Sequence, residues 1–247
     1  MCCRKNQRGV PLISVVIPTY NEEKYLEKCI QSIRNCKTKD FEIVIVDGNS
    51  NDSTREIAKK LGCRIVLEKK TEGIGPARTK GIKSSKGEIV ASLDADSEVC
   101  KGWLDIVEKE FNTNQELEAI GGPSTYRNAL YDTWSFVCSA SNYLPWPFRF
   151  YYLASNNSAY RRKAIEKNGY YRDCVHEDVD LSKRLNKNKV KMKYLNEMKV
   201  ALSDRRFKER GFFRTLLYWG FASLRIFLGS PKSIKGYTYR YENEKGN

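Results

Sequence analysis

Short, nearly continuous apolar runs alternate with amphipathic patterns through the first half of the chain, and this alternation restricts the fold more than any other feature. Leu12–Ile17, Phe41–Val46, Arg64–Leu67 and Ile89–Leu93 read as strands. Between them, Asn21 opens a segment in which Leu26, Cys29, Ile30 and Ile33 recur at helical spacing, with Glu22 and Glu23 placed for its first turn. Ser53 and Glu56 form a capping-box pattern ahead of a helix ending at Gly62, Pro76 suits the first turn of a third through about Ser85, and Trp103–Phe111 is helical. Strands joined through helices imply βαβ units and a mostly parallel sheet. Apolar residues on both faces of each strand imply helices on both sides.

In such sheets ligands bind at the carboxyl ends of strands. Three polar clusters fall there: Thr19-Tyr20-Asn21-Glu22, Asp47-Gly48-Asn49-Ser50 and Asp94-Ala95-Asp96. Asp94 and Asp96 are two apart in extended backbone, so they face the same way. Two carboxylates at a strand end make a hard-oxygen site suited to Mg²⁺ or Mn²⁺, held together with substrate phosphates.

Composition narrows the class. The chain has 247 residues and a net charge of +14, which points to a polyanionic partner such as nucleic acid, an anionic membrane face or a phosphorylated ligand. Eight cysteines occur without a CxxC pair, with a single histidine, His176, which argues against a zinc site and for a reducing compartment. The start, with Cys2 and Cys3, lacks a signal-peptide core. Phe212–Leu228 is the most apolar segment, yet it carries Arg214 and Arg225, and no segment reaches the roughly 20 apolar residues of a spanning helix. On a helix, Arg210, Arg214 and Arg225 form one stripe, and Phe213, Leu216, Leu217, Trp219, Ser223, Leu224 and Phe227 spread over the other side. That pattern suits a helix lying in a membrane interface or one closing the core. The second half is less regular: Trp134–Tyr152 is aromatic and broken by Pro145 and Pro147, Asp178–Leu185 is helical, and Val190–Leu202 reads as one or two strands.

Four blocks in order resemble the family 2 nucleotide-sugar glycosyltransferases of the GT-A fold: "ISVVIPTYNEE" (Ile13–Glu23), "FEIVIVDGNSNDST" (Phe41–Thr54), "GIGPARTKGIKSSKGEIVASLDADSEV" (Gly73–Val99) and "HEDVDLSKRL" (His176–Leu185). The resemblance implies a Rossmann-like α/β domain with a mostly parallel central sheet flanked by helices, an irregular acceptor-side half and a C-terminal amphipathic helix. Domain boundaries follow: a nucleotide-sugar half over about 10–125, an acceptor-side half over about 126–205, the helix over 206–230 and a tail over 231–247. It implies that Pro18, Thr19, Tyr20 and Glu22 line the nucleotide pocket and that Asp47 contacts the base. Arg78 would face the diphosphate, Asp96 hold the metal, and Asp94 lie near the ribose or the metal. Asp178 would be the general base, with Glu177 beside it. The family often has Asn after the arginine, where this chain has Thr79. Arg205 and Arg206 of "SDRRF" are candidates for a phosphate of donor or acceptor.

The expectation is an inverting, metal-dependent transferase. Its donor is a UDP- or GDP-sugar, and its acceptor is a glycan or a lipid-linked molecule such as a polyprenyl (dolichyl) phosphate. It would sit in the cytoplasm, peripheral on the inner membrane face, with no nucleic-acid partner. The rivals are a basic nucleic-acid-binding protein, which the chain's lack of a recognised nucleic-acid motif opposes, and an inactive membrane scaffold of the same fold, which the intact acidic pairs oppose.

Overall fold

A computed structural model describes residues 13–68, 73–145 and 147–229, apart from the side chains of Arg206 and Arg210. Cys2, Cys3 and the 231–247 tail lie outside the described residues.

The elements, in chain order, are β1 (Ile13–Thr19), α1 (Leu26–Arg34), β2 (Phe41–Asp47), α2 (Thr54–Lys60), β3 (Arg64–Leu67), α3 (Ile74–Ser84), β4 (Ile89–Leu93), β5 (Ser97–Val99), α4 (Trp103–Thr113), β6 (Ala119–Gly121) and β7 (Ser124–Tyr126). The second half adds α5 (Ala129–Ser139), β8 (Asn157–Arg161), α6 (Arg162–Lys167), α7 (Glu177–Lys187), β9 (Met192–Tyr194), β10 (Val200–Leu202), α8 (Arg205–Arg210) and α9 (Phe212–Phe227). The main sheet runs β3-β2-β1-β4-β8-β6-β9. β1 to β4 are parallel, and β8 is antiparallel to both β4 and β6. A small sheet, β5-β10-β7, stands beside it.

The strand period of two divides the core. Val15, Ile17, Ile43, Ile45, Ala91 and Leu93 face α1 and α4, packing with Leu26, Ile30, Trp103 and Phe111. Their neighbours Val16, Val44, Val46 and Val90 face the other way, against Ala77, Ile82, Ile165 and Leu181 of α3, α6 and α7. This two-sided burial is why the strands read as unbroken apolar runs.

Two local readings are corrected. α1 begins at Leu26, not after Asn21. Asn21 takes a left-handed φ of 53°. The N–H groups of Asn21, Glu22 and Glu23 donate to side chains of Ser50, Thr54 and Asp52, about thirty residues on. Glu22 is therefore a loop residue at a strand end, not a first-turn helical acid. The capping box at α2 does not form, because Ser53 makes no side-chain cap. Asp52 accepts from the Thr54 N–H at 3.0 Å instead.

α9 settles part of the C-terminal reading. Thr215, Ala222 and Ile226 are buried against the domain. Phe213, Leu217, Phe221, Leu224 and Leu228 form an exposed stripe on the opposite side, at the helical period.

Candidate active site

The parallel register sets Thr19 beside Asp47 and ends β4 at Leu93, so the three polar clusters meet at one edge of the sheet. Pro18 and Thr19 are buried at the foot of this edge, and Tyr20 is half-buried above it. Asp47 is fully buried. Its carboxylate accepts from the Ser50 N–H at 3.1 Å and from the Ser50 hydroxyl, and lies 3.9 Å from Arg55 Nε. Its observed work is to shape the 47–50 loop.

Arg78 is one turn into α3 and has no exposed surface. Its Nη2 pairs with Asp94, its Nη1 donates to Ser92 Oγ at 2.6 Å and to the Leu93 carbonyl at 3.1 Å, and its Nε lies 3.4 Å from Glu177 Oε1. A buried guanidinium needs such partners, since each lost one leaves a desolvated charge. Thr79, where the family pattern often has Asn, donates to the Tyr171 carbonyl at 2.7 Å. The hydroxyl thus braces the 170s segment against α3.

Glu177 and Asp178 open α7 on the other side of Arg78. Burial, with the charge of Asp178, pushes Glu177 up to about 7 against the opposing pull of Arg78. Ser155 Oγ donates to it at 3.0 Å. Asp178 is held differently: Tyr152 donates its hydroxyl to Oδ2 at 2.8 Å, and the Val179 N–H reaches Oδ1 at 2.8 Å. Burial and the nearby Asp178 charge raise the Tyr152 phenol well above its usual range, so it stays a donor. Neither Tyr152 nor Ser155 carries a motif signal; only the fold brings them to the carboxylates. His176 faces Ser223 across 3.1 Å and packs edge-on against Trp219.

A cavity of about 330 Å³ joins these groups. Its lining combines the charged groups Arg78, Asp94, Glu177 and Asp178 with the aromatic side chains of Tyr126, Trp134, Phe207 and Trp219. Glu22, Asp96 and Arg205 are set beside it, beyond the Asp94-Ala95-Asp96 turn. Arg205 pairs with Glu22 at 2.8 Å and approaches Asp96 to 3.5 Å. Burial pushes the Glu22 carboxyl up to about 7, with the charges of Asp96 and Asp94 adding to the effect and Arg205 opposing it. The Arg206 side chain lies outside the described residues.

Among the described residues no group of three or more His, Cys, Asp or Glu forms a metal cage of protein ligands alone. The donors present are nonetheless hard carboxylate oxygens, Asp94, Asp96 and Glu22, brought together at the strand ends and joined by Arg78 and Arg205. That fits a divalent cation held by one or two carboxylates and completed by a diphosphate. Among the described residues no helix is long and apolar enough to cross a membrane.

Comparison with known proteins bears on the fold and the family. The chain is 36% identical over 104 residues to glycosyltransferase AglE of Haloferax volcanii, covering 39% of this chain and 34% of that one. It is 34% identical over 109 residues to the GalNAc(5)-diNAcBac-PP-undecaprenol beta-1,3-glucosyltransferase of Campylobacter jejuni, covering 42% and 35%. It therefore spans about a third of the length of these relatives. Among solved structures, the mannosyltransferase PcManGT of Pyrobaculum calidifontis, in complex with GDP-Man and Mn²⁺, superposes with a TM-score of 0.64 at 18% identity, over 78% of this chain and 56% of that one. TarS 1-349 of S. aureus with UDP-GlcNAc gives 0.64 at 21% identity, over 77% and 58%. These likenesses establish the GT-A fold. The family model for Glycosyl transferase family 2 matches residues 14–169, well over half of the chain, and the chain belongs to that family.

Proposed function

We propose that this family 2 domain transfers a sugar from a UDP- or GDP-sugar to a hydroxyl group of a lipid-linked or glycan acceptor, with inversion at the anomeric carbon. The observation that carries this reading is that Arg78 and Asp94, read as donor-side groups, and Asp178, read as the base, line one cavity. Pro18, Thr19, Tyr20 and the loop footed by Asp47 border the nucleotide. Asp96, with Asp94 or Glu22, holds Mg²⁺ or Mn²⁺; when bound, that ion offsets the charge that builds on the departing diphosphate. Arg78 supports the same charge from beneath, through the carboxylate it fixes.

Asp178 takes the proton of the attacking hydroxyl as its oxygen bonds to the anomeric carbon and the nucleoside diphosphate leaves. Tyr152 fixes the carboxylate that does so, at 2.8 Å. A general base of this kind contributes about 10²–10⁴-fold. The charges lining this cavity favour a neutral hydroxyl over a phosphate nucleophile. Asp94, Glu177 and Asp178 line it, and the Arg78 guanidinium is already shared between two of them. The undecaprenol-linked substrate named for the Campylobacter relative supports a lipid-linked acceptor. The exposed apolar stripe of α9 and the net charge of +14 support peripheral contact with the inner membrane face.

The test is a thermal-shift panel of UDP-, GDP- and dTDP-sugars with Mg²⁺ or Mn²⁺, repeated on Asp96→Ala. Stabilisation by one sugar nucleotide plus metal, lost in Asp96→Ala, is the expected result. Stabilisation that is equal in the variant removes Asp96 from the metal site.

A further inference from the structure

Arg205 begins α8, 183 residues along the chain from Glu22, yet its guanidinium sits among the carboxylates of the donor loops. Nη1 donates to Glu22 Oε2 at 2.9 Å, Nη2 donates to Oε1 at 2.8 Å, and Nη2 lies 3.5 Å from Asp96 Oδ2. The guanidinium is also 5.0 Å from the centre of the Tyr25 ring. A planar fork on a carboxylate, with an aromatic ring beside it, is an arrangement that arginine makes and lysine does not.

The two buried-side arginines of the site differ in one respect. The Arg78 side chain is 0% exposed, whereas that of Arg205 is 29% exposed. Breaking the first pair leaves a charge stranded in the core. Breaking the second returns a partly exposed guanidinium to water and leaves the Glu22 carboxylate, 13% exposed, in need of another cation.

We propose that Arg205 is a counter-cation to the donor-loop carboxylates, and that Arg205 and a divalent cation compete for Asp96 and Glu22. The inference rests on the donor-site reading given above. A divalent ion on Asp96 stands about 2.1 Å from a carboxylate oxygen. The guanidinium nitrogen 3.5 Å from Asp96 Oδ2 would then share that one carboxylate charge with a doubly charged neighbour. Entry of the ion turns Arg205 out, or onto the incoming diphosphate.

The consequence reaches the acceptor side through α8 itself. Phe207, two residues on, is 2% exposed and packs 4.3 Å from the Tyr131 ring and 5.6 Å from Trp219. It also lines the cavity that the proposed function gives to the acceptor. The chain just before is pinned, because the Ser203 N–H donates to the Asp96 carbonyl at 3.3 Å. Release of Arg205 therefore removes one of the ties at the start of α8, two residues from a side chain that lines the cavity, and so links the donor-loop carboxylates to the acceptor side.

Mn²⁺ binding to the full chain without any sugar nucleotide, followed by loss of the free-ion paramagnetic resonance signal, tests this. Arg205→Gln is expected to bind Mn²⁺ about fivefold tighter than wild type or more. Arg205→Lys should fall between them, since it keeps the charge and loses the fork; it carries the test if the Gln variant does not fold. Amide exchange over 205–211 should quicken on adding Mn²⁺ to wild type and be fast from the outset in Arg205→Gln. Equal or weaker Mn²⁺ binding in the variants overturns the proposal, as does absence of Mn²⁺ binding throughout. Sugar-nucleotide thermal shifts on the same proteins separate the two failures. If they persist while the Mn²⁺ affinities are equal, the competition is wrong and the donor site stands. If wild type shows none with or without metal, the donor-site reading falls too.

Discussion

Asp178 and Glu177 are neighbours in the chain, but their surroundings give them different chemistry. Tyr152 and the Val179 N–H hold Asp178 as an acceptor. Asp178→Asn should lower kcat by about 10²–10⁴-fold and leave sugar-nucleotide binding intact. Substantial residual turnover would instead indicate a phosphate acceptor, which needs no base. Tyr152→Phe removes only the hydroxyl that positions the carboxylate. It should lower kcat about tenfold with the donor KM unchanged, a split that a general loss of structure would not give. Glu177 is pushed up to about 7 from an ordinary value of 4.5, chiefly by burial. Between those two values the folded chain keeps a proton that the unfolded chain has lost, so stability falls as pH rises through that window. Glu22, also raised to about 7, works in the same direction. Glu177→Gln is neutral at every pH, and its melting temperature should fall less than that of wild type between about pH 5 and pH 8. Identical slopes in the two proteins would show that Glu177 ionises normally.

At the scale of elements, α3 decides how the site is held. Gly81 lets this helix lie directly on the sheet: a Cβ there would stand 2.3 Å from Val16 Cγ1 and 2.7 Å from Val46 Cγ2. Gly81→Ala must push α3 off β1 and β2, one turn from Arg78. It should cost about 1–3 kcal/mol in chemical denaturation and weaken donor binding with it. Gly220 in α9 is the contrast, since a Cβ there meets nothing within 4 Å. Gly220→Ala should stabilise by about 0.5–1 kcal/mol, because it removes only the entropic penalty of glycine in a helix. These elements were legible to different degrees, for physical reasons. The strands β1, β2 and β4 announce themselves because both of their faces are buried. β5, β7 and β10 have three residues each, too few to show a period. The late start of α1 was hidden because the side chains that take its preceding N–H groups come from about thirty residues away.

Across the whole molecule, the site divides in the same way. Arg78, Asp94, Asp96 and Asp178 stand in motifs that the sequence displays. The Glu22–Arg205 pair and the Tyr152–Asp178 bond span 183 and 26 residues and carry no local pattern. The overall charge of +14 was the clearest global signal, but it did not by itself say what it faces. The α9 stripe is the feature on which the proposed membrane contact rests. Phe213 and Leu217 are each 77% exposed and Leu228 is 75% exposed, one helical face with Arg214 at its edge. Tyr131 of α5 stacks on Phe212, and Leu130, Phe136 and Val137 on other faces of α5 are also exposed. Each such side chain is worth about 1.5–3 kcal/mol on leaving water, whereas a basic residue near an anionic surface adds about 1 kcal/mol. The apolar term should therefore dominate, with charge selecting the lipid. In vesicle flotation the protein should bind phosphatidylglycerol-containing vesicles better than neutral ones and lose only part of that binding in high salt. The double variant Phe213→Asp, Leu217→Asp should lose at least about tenfold in binding and keep transfer to a water-soluble acceptor. Binding that salt abolishes and the double variant retains would assign the surface to electrostatics alone and take α9 out of the membrane.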